Sequence, residues 1–516
     1  MLQKIFHTKF ELHNWLRDQK EEIIFIPTMG GLHSGHEYLI KNAKDCKANK
    51  KQIVLVSIFV NPLQFGNDED FTKYPRDIKN DSELALSAGA DLIWAPDYDE
   101  VFPGGEDSHF KIKVPKIIEN KLCGIERKGH FDGVATVILR LIKIVKPNVL
   151  VLGEKDWQQL IIIRKLFDEL SISIKIKSLP TQRDKNGFAY SSRNSYLTIS
   201  EKLHALSLPL AMQEAKNEFD KGKIINLKKI SSQLEKNNLK IEYIKIVDAF
   251  SLEDTENIKG LCLLAAAVKC GSSRLIDHTF LMKHKPIIAI DGPAGAGKST
   301  VTKEFAKRLG MIYLDTGAMY RAVTWLIQNK NIDPNKQVEV ENILKNTKLE
   351  FRNSHLSEQK IFINNSDVTD KIRSPEVTAL VSKIATHKFV RELLTRQQQE
   401  IGLKGGIIAE GRDIGTAVFP NADVKIFLTA SSKERARRRF IDFEKKGYQC
   451  SSIEDLEKEI QERDKEDSQR EIAPLTKAHD AIELLTDDMD IETVIEELTY
   501  IFRSKIPEEV WPSPNK

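Results

Sequence analysis

Cysteine is scarce in this chain. Its five cysteines, Cys46, Cys123, Cys262, Cys270 and Cys450, are scattered, and no two stand in Cys-x-x-Cys spacing. That argues against a disulfide framework or a cysteine-rich zinc site and fits a reducing compartment. Long apolar runs are missing too. The longest, "LCLLAAAV" at 261–268, is far too short to cross a bilayer and reads as a buried strand. The opening "MLQKIFHTKFELHNW" lacks the apolar stretch of a signal peptide, so the expected location is the cytoplasm, with no membrane partner. Neither sign of charge dominates. Residues 1–284 hold 42 Lys/Arg against 37 Asp/Glu, and residues 285–516 hold 36 against 38. Neither half is basic enough to expect nucleic acid as a partner. No internal repeat is visible, so duplication does not explain the length.

What is present is the material of folded cores: 516 residues, 41% hydrophobic and 30% charged. At roughly 100–200 residues per domain, two to four domains are expected. Residues 23–27 (IIFIP) and 53–60 (IVLVSIFV) read as buried parallel strands, with a helical "HEYLIKNAKDC" between them. The α/β rhythm continues through "ADLIWAP" at 90–96, a helix at 134–145 and "NVLVLG" at 148–153. Beyond about residue 185 a helical stretch is followed by strands "IEYIKIVD" and "LCLLAAAV", which reads as a smaller α/β lobe. The polar bridge "KHKP" at 283–286 precedes a second α/β series.

That series opens with "IIAIDGPAGAGKST" at 287–300. Gly292 to Ser299 satisfies G-x-x-x-x-G-K-[ST], in strand–loop–helix context. Gly292, Gly295 and Gly297 let backbone N–H groups converge on phosphate oxygens. Lys298 reaches the β- and γ-phosphates, Ser299 supplies a hydroxyl for Mg²⁺, and Thr300 follows at the helix start. A GTPase would need Asn-Lys-x-Asp, and "NKNID" at 329–333 has the wrong spacing. A motor ATPase would need a strand ending in Asp-Glu, whereas "GGIIAEGRD" ends in Glu410, Arg412 and Asp413. A small-molecule kinase is the better reading. "SSKERARRRF" opens with a capping box, Ser431 to Glu434, and with "ERDKEDSQR" forms a basic helix pair suited to closing over phosphates. Taken alone, the pair reads equally as a solvated face or a nucleic-acid patch.

Residues 287–503 resemble bacterial-type cytidylate kinase. The likeness runs in order through "DGPAGAGKST", "LDTGAMYR", "FINNSDVTDKIRSPEVTALVSKIA", "VRELLTRQQ", "AEGRDIGTAVFP", "VKIFLTASSKERARRR" and "ERDKEDSQREIAPL". It implies that Ser382, Arg391 and Asp413 face the cytosine, and that Arg321, Arg412 and Arg470 hold the CMP phosphate. Arg463 and Asp467 fall at the sugar, and Asp315 joins the CMP site. Bidentate arginine contacts suit a phosphate.

In the first half, "FIPTMGGLHSGHEYLI" at 25–40 is a strand, a glycine turn and a helix. His33 and His36 stand three apart at the helix start, where both project towards one phosphate, and Gly35 keeps that face open to a base or ribose. As a metal pair they lack a nearby third ligand. "FVNPLQF" places Asn61 and Gln64 at a strand end, "LGEKDWQQL" places Gly153, Glu154, Lys155, Asp156 and Gln159 at another, and "YSSRNSYL" supplies Tyr190, Ser191, Ser192 and Arg193. Each cluster is also compatible with an ordinary capped loop. Jointly they offer amides for a small polar acid and cations for a triphosphate.

Residues 1–280 resemble pantothenate synthetase, the pantoate–β-alanine ligase, a nucleotidyltransferase with the His-x-Gly-His motif. The further motifs that carry the likeness are "FVNPLQFGNDEDFTKYPR", "GHFDGVATVILRL" and "GSSRLIDH". Two departures are mild: Tyr190 stands where Met is common, and Lys185-Asn186-Gly187 where Asp-Gly is usual. The resemblance implies ATP binding by Met29, Gly30, Gly31, Leu32, His33, Ser34, Gly35 and His36, by Gly153 to Asp156, and by Tyr190 to Arg193. Asn61, Gln64 and Gln159 would hold pantoate or β-alanine. His36, Lys155 and Arg193 would stabilise in-line attack of the pantoate carboxylate on the ATP α-phosphate, with Mg²⁺ assisting, before β-alanine attacks the pantoyl adenylate. The family suggests a homodimer. Alternatives are a related nucleotidyltransferase acting on another acid, or a regulatory nucleotide-binding protein with an inert first half.

The expected fold is therefore α/β throughout. A Rossmann-like nucleotidyltransferase domain (1–185) carries a small lobe (186–282). A linker (283–286) leads to a P-loop nucleoside monophosphate kinase (287–516), with an inserted CMP-binding region at about 345–390 and a lid at about 431–470.

Overall fold

The computed structural model describes residues 4–44, 51–66, 71–352, 359–445, 452–470 and 472–511. Cys46, Cys450 and parts of the expected insert and lid lie outside these. The chain divides into two compact units, Met1–Lys283 with Pro507–Glu509, and His284–Ile506 with Val510–Lys516. Among the described residues no helix is long and apolar enough to cross a membrane.

The first unit is built on six parallel strands: β1 (Ile5–Phe6), β2 (Glu22–Thr28), β3 (Gln52–Ile58), β4 (Leu92–Trp94), β5 (Val149–Gly153) and β6 (Lys175–Leu179). Their order is β1-β4-β3-β2-β5-β6. Ile23–Ile26 and Ile53–Ile58 are buried without alternation, as expected of strands covered on both faces. The chain leaves β2 towards β3 on one side and returns to β5 on the other. Loops at the C-terminal ends of these strands therefore splay around a switch point, where α/β sheets take ligands.

An antiparallel sheet, β7 (Lys240–Asp248), β8 (Cys262–Cys270) and β9 (Ser273–Leu281), forms the small lobe. Leu264, Ala266 and Val268 of β8 pack on Leu208, Ala211 and Met212. The turn containing Lys185-Asn186-Gly187 is an ordinary one. The Asp184 carboxylate accepts the backbone N–H groups of Asn186 (2.8 Å) and Phe188 (3.0 Å).

The second unit has five parallel strands, β10 (Ile287–Asp291), β11 (Ile312–Asp315), β15 (Ile407–Gly411), β16 (Val424–Thr429) and β17 (Ile482–Leu485), in the order β11-β15-β10-β16-β17. Ile288, Ile290 and Ile408 face Val301, Phe305 and Phe502. Ala289, Ile407 and Ala409 face Met319 and Val323 on the other side. A small antiparallel sheet, β12 (Leu349–Arg352), β13 (Lys360–Ile363) and β14 (Ser366–Asp367), precedes the helix Pro375–Ile384 within the insert. Of the bridge 283–286, only Lys283 goes with the first unit. Lys285 and Pro286 already bond to the second sheet's surroundings, through Lys285 N to Lys404 O (3.3 Å) and Gly406 N to Pro286 O (2.9 Å). Gly405 is required there, because a Cβ would lie 1.8 Å from the Lys285 carbonyl oxygen.

Candidate functional sites

In the first unit, β2 runs into the turn Met29–Leu32, where Gly30 and Gly31 take φ of +83° and +59°. Asp81, from a distant helix, braces this turn: its carboxylate accepts Gly31 N (2.9 Å) and Leu32 N (2.7 Å). The helix Ser34–Lys41 then starts with His33 as N-cap, its Nδ1 accepting Gly35 N at 3.1 Å. The His33 and His36 rings lie 4.2 Å apart. Burial, with the Lys155 charge beside it, lowers the His33 pKa to about 4; burial and His33 lower that of His36 to about 3. Both rings are thus neutral at pH 7, and His36 Nδ1 is buried with no partner. Tyr190 stacks on His33 with centroids 6.3 Å apart, which accounts for an aromatic ring at that departure. The Ser192 hydroxyl donates to Gly31 O (3.0 Å), tying the Ser-Ser-Arg segment to the glycine turn.

Gln64 stands at the end of β3's loop. Its Oε1 accepts from Asn61 Nδ2 (3.1 Å), and its Nε2 points at the Met29 sulfur (2.7 Å), a weak acceptor that a carboxylate would outcompete. Asn61 also donates to Gly133 O (3.2 Å), so its amide is engaged in holding Gln64. A cavity of about 250 Å³ is lined by Met29, His33, Gly35, His36, Asn61, Gln64, Gly153, Lys155, Asp156, Gln159 and Tyr190 to Arg193. Lys155, Asp156, Gln159, Ser191 and Arg193 also line a larger one, of about 930 Å³, to which Asp277 and His278 of β9 contribute. Gly30, Gly31, Leu32 and Ser34 line neither. They shape the turn instead. Glu154 is directed elsewhere: it is buried, accepts from Ser178 Oγ (3.0 Å), and burial pushes its carboxyl up to about 7.

Sequence reasoning missed Arg127 and His130, which line both cavities. The carbonyl oxygen of Gln64 accepts from His130 Nδ1 (2.7 Å), leaving Nε2 to accept from Arg127 (2.9 Å). The available signal was their place in "ERKGHFDGV".

In the second unit the phosphate loop follows β10 directly. Gly292, Gly295 and Gly297 all have positive φ, of 152°, 76° and 82°. Lys298 caps the loop's own carbonyls, donating to Gly292 O (2.8 Å) and Pro293 O (2.9 Å). Burial, and then the charge of Arg412, lower its pKa. The Ser299 hydroxyl donates to Glu410 Oε1 at 2.5 Å. Thr300 continues the helix Lys298–Leu309.

Asp315 ends β11, caps the next helix through Ala318 N (2.8 Å) and pairs with Arg321 (2.9 Å). Arg391 is buried against Asp413 and donates to Ala385 O (3.1 Å). Ser382 lies on the helix Pro375–Ile384. Asp467, 1% exposed, takes Arg412 Nε (3.2 Å) and Arg470. Arg463 faces the same cations, and burial followed by Arg412 lowers its pKa. One carboxylate thus gathers guanidinium groups that an incoming phosphate could take over.

The basic helix pair departs from expectation. Ser431 Oγ accepts Glu434 N (3.2 Å), but the Glu434 carboxylate pairs with Arg437 (2.7 Å) and Arg438 (2.9 Å), so only half of the capping interaction is made. Arg435 is buried, bound to Asp464 (2.6 Å) and to the phosphate-loop carbonyl of Ala294 (3.1 Å). This is a brace on the loop rather than a displayed charge.

Comparison with known proteins agrees with this division. Residues 4–280 match the family model of pantoate-beta-alanine ligase, and residues 288–504 that of cytidylate kinase. A bifunctional pantoate ligase/cytidylate kinase of Prochlorococcus marinus (strain NATL1A) is 73% identical over 100% of both chains. One from Synechococcus sp. (strain CC9311) is 49% identical over 95% of this chain and 99% of its own. The crystal structure of pantothenate synthetase from Thermus thermophilus is 32% identical, covering 54% of this chain and 99% of its own, with a TM-score of 0.49. With both family models matched in sequence and relatives similar along their whole length, the chain belongs to the bifunctional pantoate ligase/cytidylate kinase family.

Proposed function

We propose that the first unit joins (R)-pantoate to β-alanine through pantoyl adenylate. The observation that carries this is convergence: His36, Lys155 and Arg193 line the same small cavity as Gln64 and Gln159. The amides take the pantoate carboxylate. Its oxygen attacks the α-phosphorus of ATP, the bond to the bridging oxygen breaks, and pyrophosphate leaves. His36 donates a hydrogen bond as a neutral ring while Lys155 and Arg193 carry the positive charge at the crowded phosphate. The β-alanine amine then attacks the activated carbonyl and AMP departs, a far better leaving group than oxide. The larger cavity, which shares Lys155 and Arg193, gives the second substrate an approach. Labelled pyrophosphate should exchange into ATP when pantoate is present and β-alanine is absent. Exchange that requires β-alanine would contradict the adenylate.

The second unit, on this reading, transfers the γ-phosphoryl group of ATP to CMP or dCMP. Lys298 and the loop amides hold the ATP phosphates. Arg321, Arg412 and Arg470 hold the acceptor phosphate, Arg463 and Asp467 lie at the sugar, and Ser382, Arg391 and Asp413 read the base. Mg²⁺ fits here. Among the described residues no group of three or more His, Cys, Asp or Glu could hold a metal alone. Ser299, and the buried Glu410 with its partnerless Oε2, suit a cation shared with nucleotide phosphates. Such a cation would neutralise charge on the transferring phosphates. The protein is proposed to act in the cytoplasm as a homodimer through its first half, where Phe110 is 100% exposed and Ile117 63%.

A further inference from the structure

Two hydroxyl groups in the second unit share one carboxylate oxygen. In the parallel register, Asp315 of β11 lies opposite Glu410 of β15, and Tyr313 opposite Ile408. The Tyr313 hydroxyl donates to Glu410 Oε1 at 2.9 Å, and Ser299 of the phosphate loop donates to the same oxygen at 2.5 Å. Glu410 is 5% exposed, and its other oxygen, Oε2, is buried without a partner. A buried lone acceptor is costly unless something completes it. Asp315 is already engaged by Ala318 N and Arg321. The carboxylate is therefore anchored at one oxygen and open at the other, next to the loop that takes ATP.

We propose that Tyr313 is a positioning residue for phosphoryl transfer, fixing Glu410 so that Oε2 accepts from a water of the nucleotide-bound divalent cation. This rests on the kinase reading given above. On that reading the Ser299 hydroxyl would turn from Glu410 to the cation once nucleotide is bound, which would leave Tyr313 as the donor that keeps Glu410 in place. Burial and the neighbouring Glu410 charge raise the Tyr313 pKa, so the phenol keeps its proton and acts as a donor. Its ring packs beside the core of Val301 and Phe305, so phenylalanine preserves the packing and removes only the donor. Removing a supporting partner of this kind lowers metal affinity by about 10–100-fold.

The test compares wild type with Tyr313→Phe in the full chain. The probe is cytidine joined to adenosine through five phosphates, which occupies both kinase substrate sites at once. Calorimetry gives its affinity with Mg²⁺ and with EDTA. The expected result is that the strengthening by Mg²⁺ falls about tenfold while affinity in EDTA is unchanged. In turnover, the Mg²⁺ concentration for half-maximal rate rises by a similar factor, with the KM for CMP unchanged. A purely structural role would lower the melting temperature and leave the Mg²⁺ factor as in wild type, and that result overturns the proposal. If Tyr313→Phe does not fold, Glu410→Gln replaces it with the same expected loss, and an unchanged Mg²⁺ factor there overturns the proposal too. Failure of wild type to form CDP would instead refute the kinase reading.

Discussion

Lys298→Ala lowers CDP formation by at least about 10²–10³-fold and leaves pantothenate formation unchanged. In the structure the ammonium group rests on two carbonyls of its own loop, Gly292 O and Pro293 O, with a lowered pKa. A buried ammonium that spends its hydrogen bonds on two loop carbonyls is far better satisfied by phosphate oxygens. Substrate thus gains what the loop supplies only in part, and alanine removes it where transferring charge develops. The first unit's cavities contain no residue of this loop. Both products should be measured on one preparation of the variant. Near-normal CDP formation would show that the phosphate cradle lies elsewhere.

His36→Ala should slow pantoate-dependent pyrophosphate exchange by about 10²-fold with little change in the KM for pantoate. Gln64→Ala should do the reverse, chiefly raising that KM. The separation follows from partners. His36 has a buried, unpartnered Nδ1 and a ring held neutral, so its worth lies in donating to charge that forms during attack. Gln64 presents its amide nitrogen to a sulfur, a poor acceptor, and is steered by Asn61 and the loop that His130 braces. A ground-state carboxylate improves on that sulfur at once. Equal effects of both changes on both parameters would refute this division.

The local geometry was legible in the sequence wherever a motif is contiguous. Gly292–Ser299 and the strand–turn–helix around His33 and His36 are set by glycines and spacing within one stretch of chain, and the structure places them so. What escaped depends on residues far apart in sequence. Asp81 braces Gly31 from 50 positions away, and no local pattern announces it. Arg127 and His130 become site residues only because the turn Arg127–Gly129 and the start of the helix His130–Val145 lie against the Gln64 loop, where both side chains donate to Gln64 O. Glu154 lies inside a motif whose neighbours line the cavity, yet the tight turn after β5 sends its side chain to Ser178. Helical spacing within "SSKERARRRF" does not separate Arg435, buried on Asp464, from its exposed neighbour Arg437. Tyr313 carries no signal of its own in the sequence, and its hydroxyl acquires meaning only from the register that brings β15 alongside.

On this reading one chain directs two substrates to two different phosphorus atoms of ATP, pantoate to the α-phosphorus and CMP to the γ-phosphorus. The direct measurement is product stoichiometry from a single purified preparation, given ATP with pantoate and β-alanine, and separately ATP with CMP. The account predicts AMP and pyrophosphate one-for-one with pantothenate, and ADP one-for-one with CDP. Lys155→Ala should remove only the first set. Pantothenate accompanied by ADP and phosphate, or loss of both activities in Lys155→Ala, would contradict it.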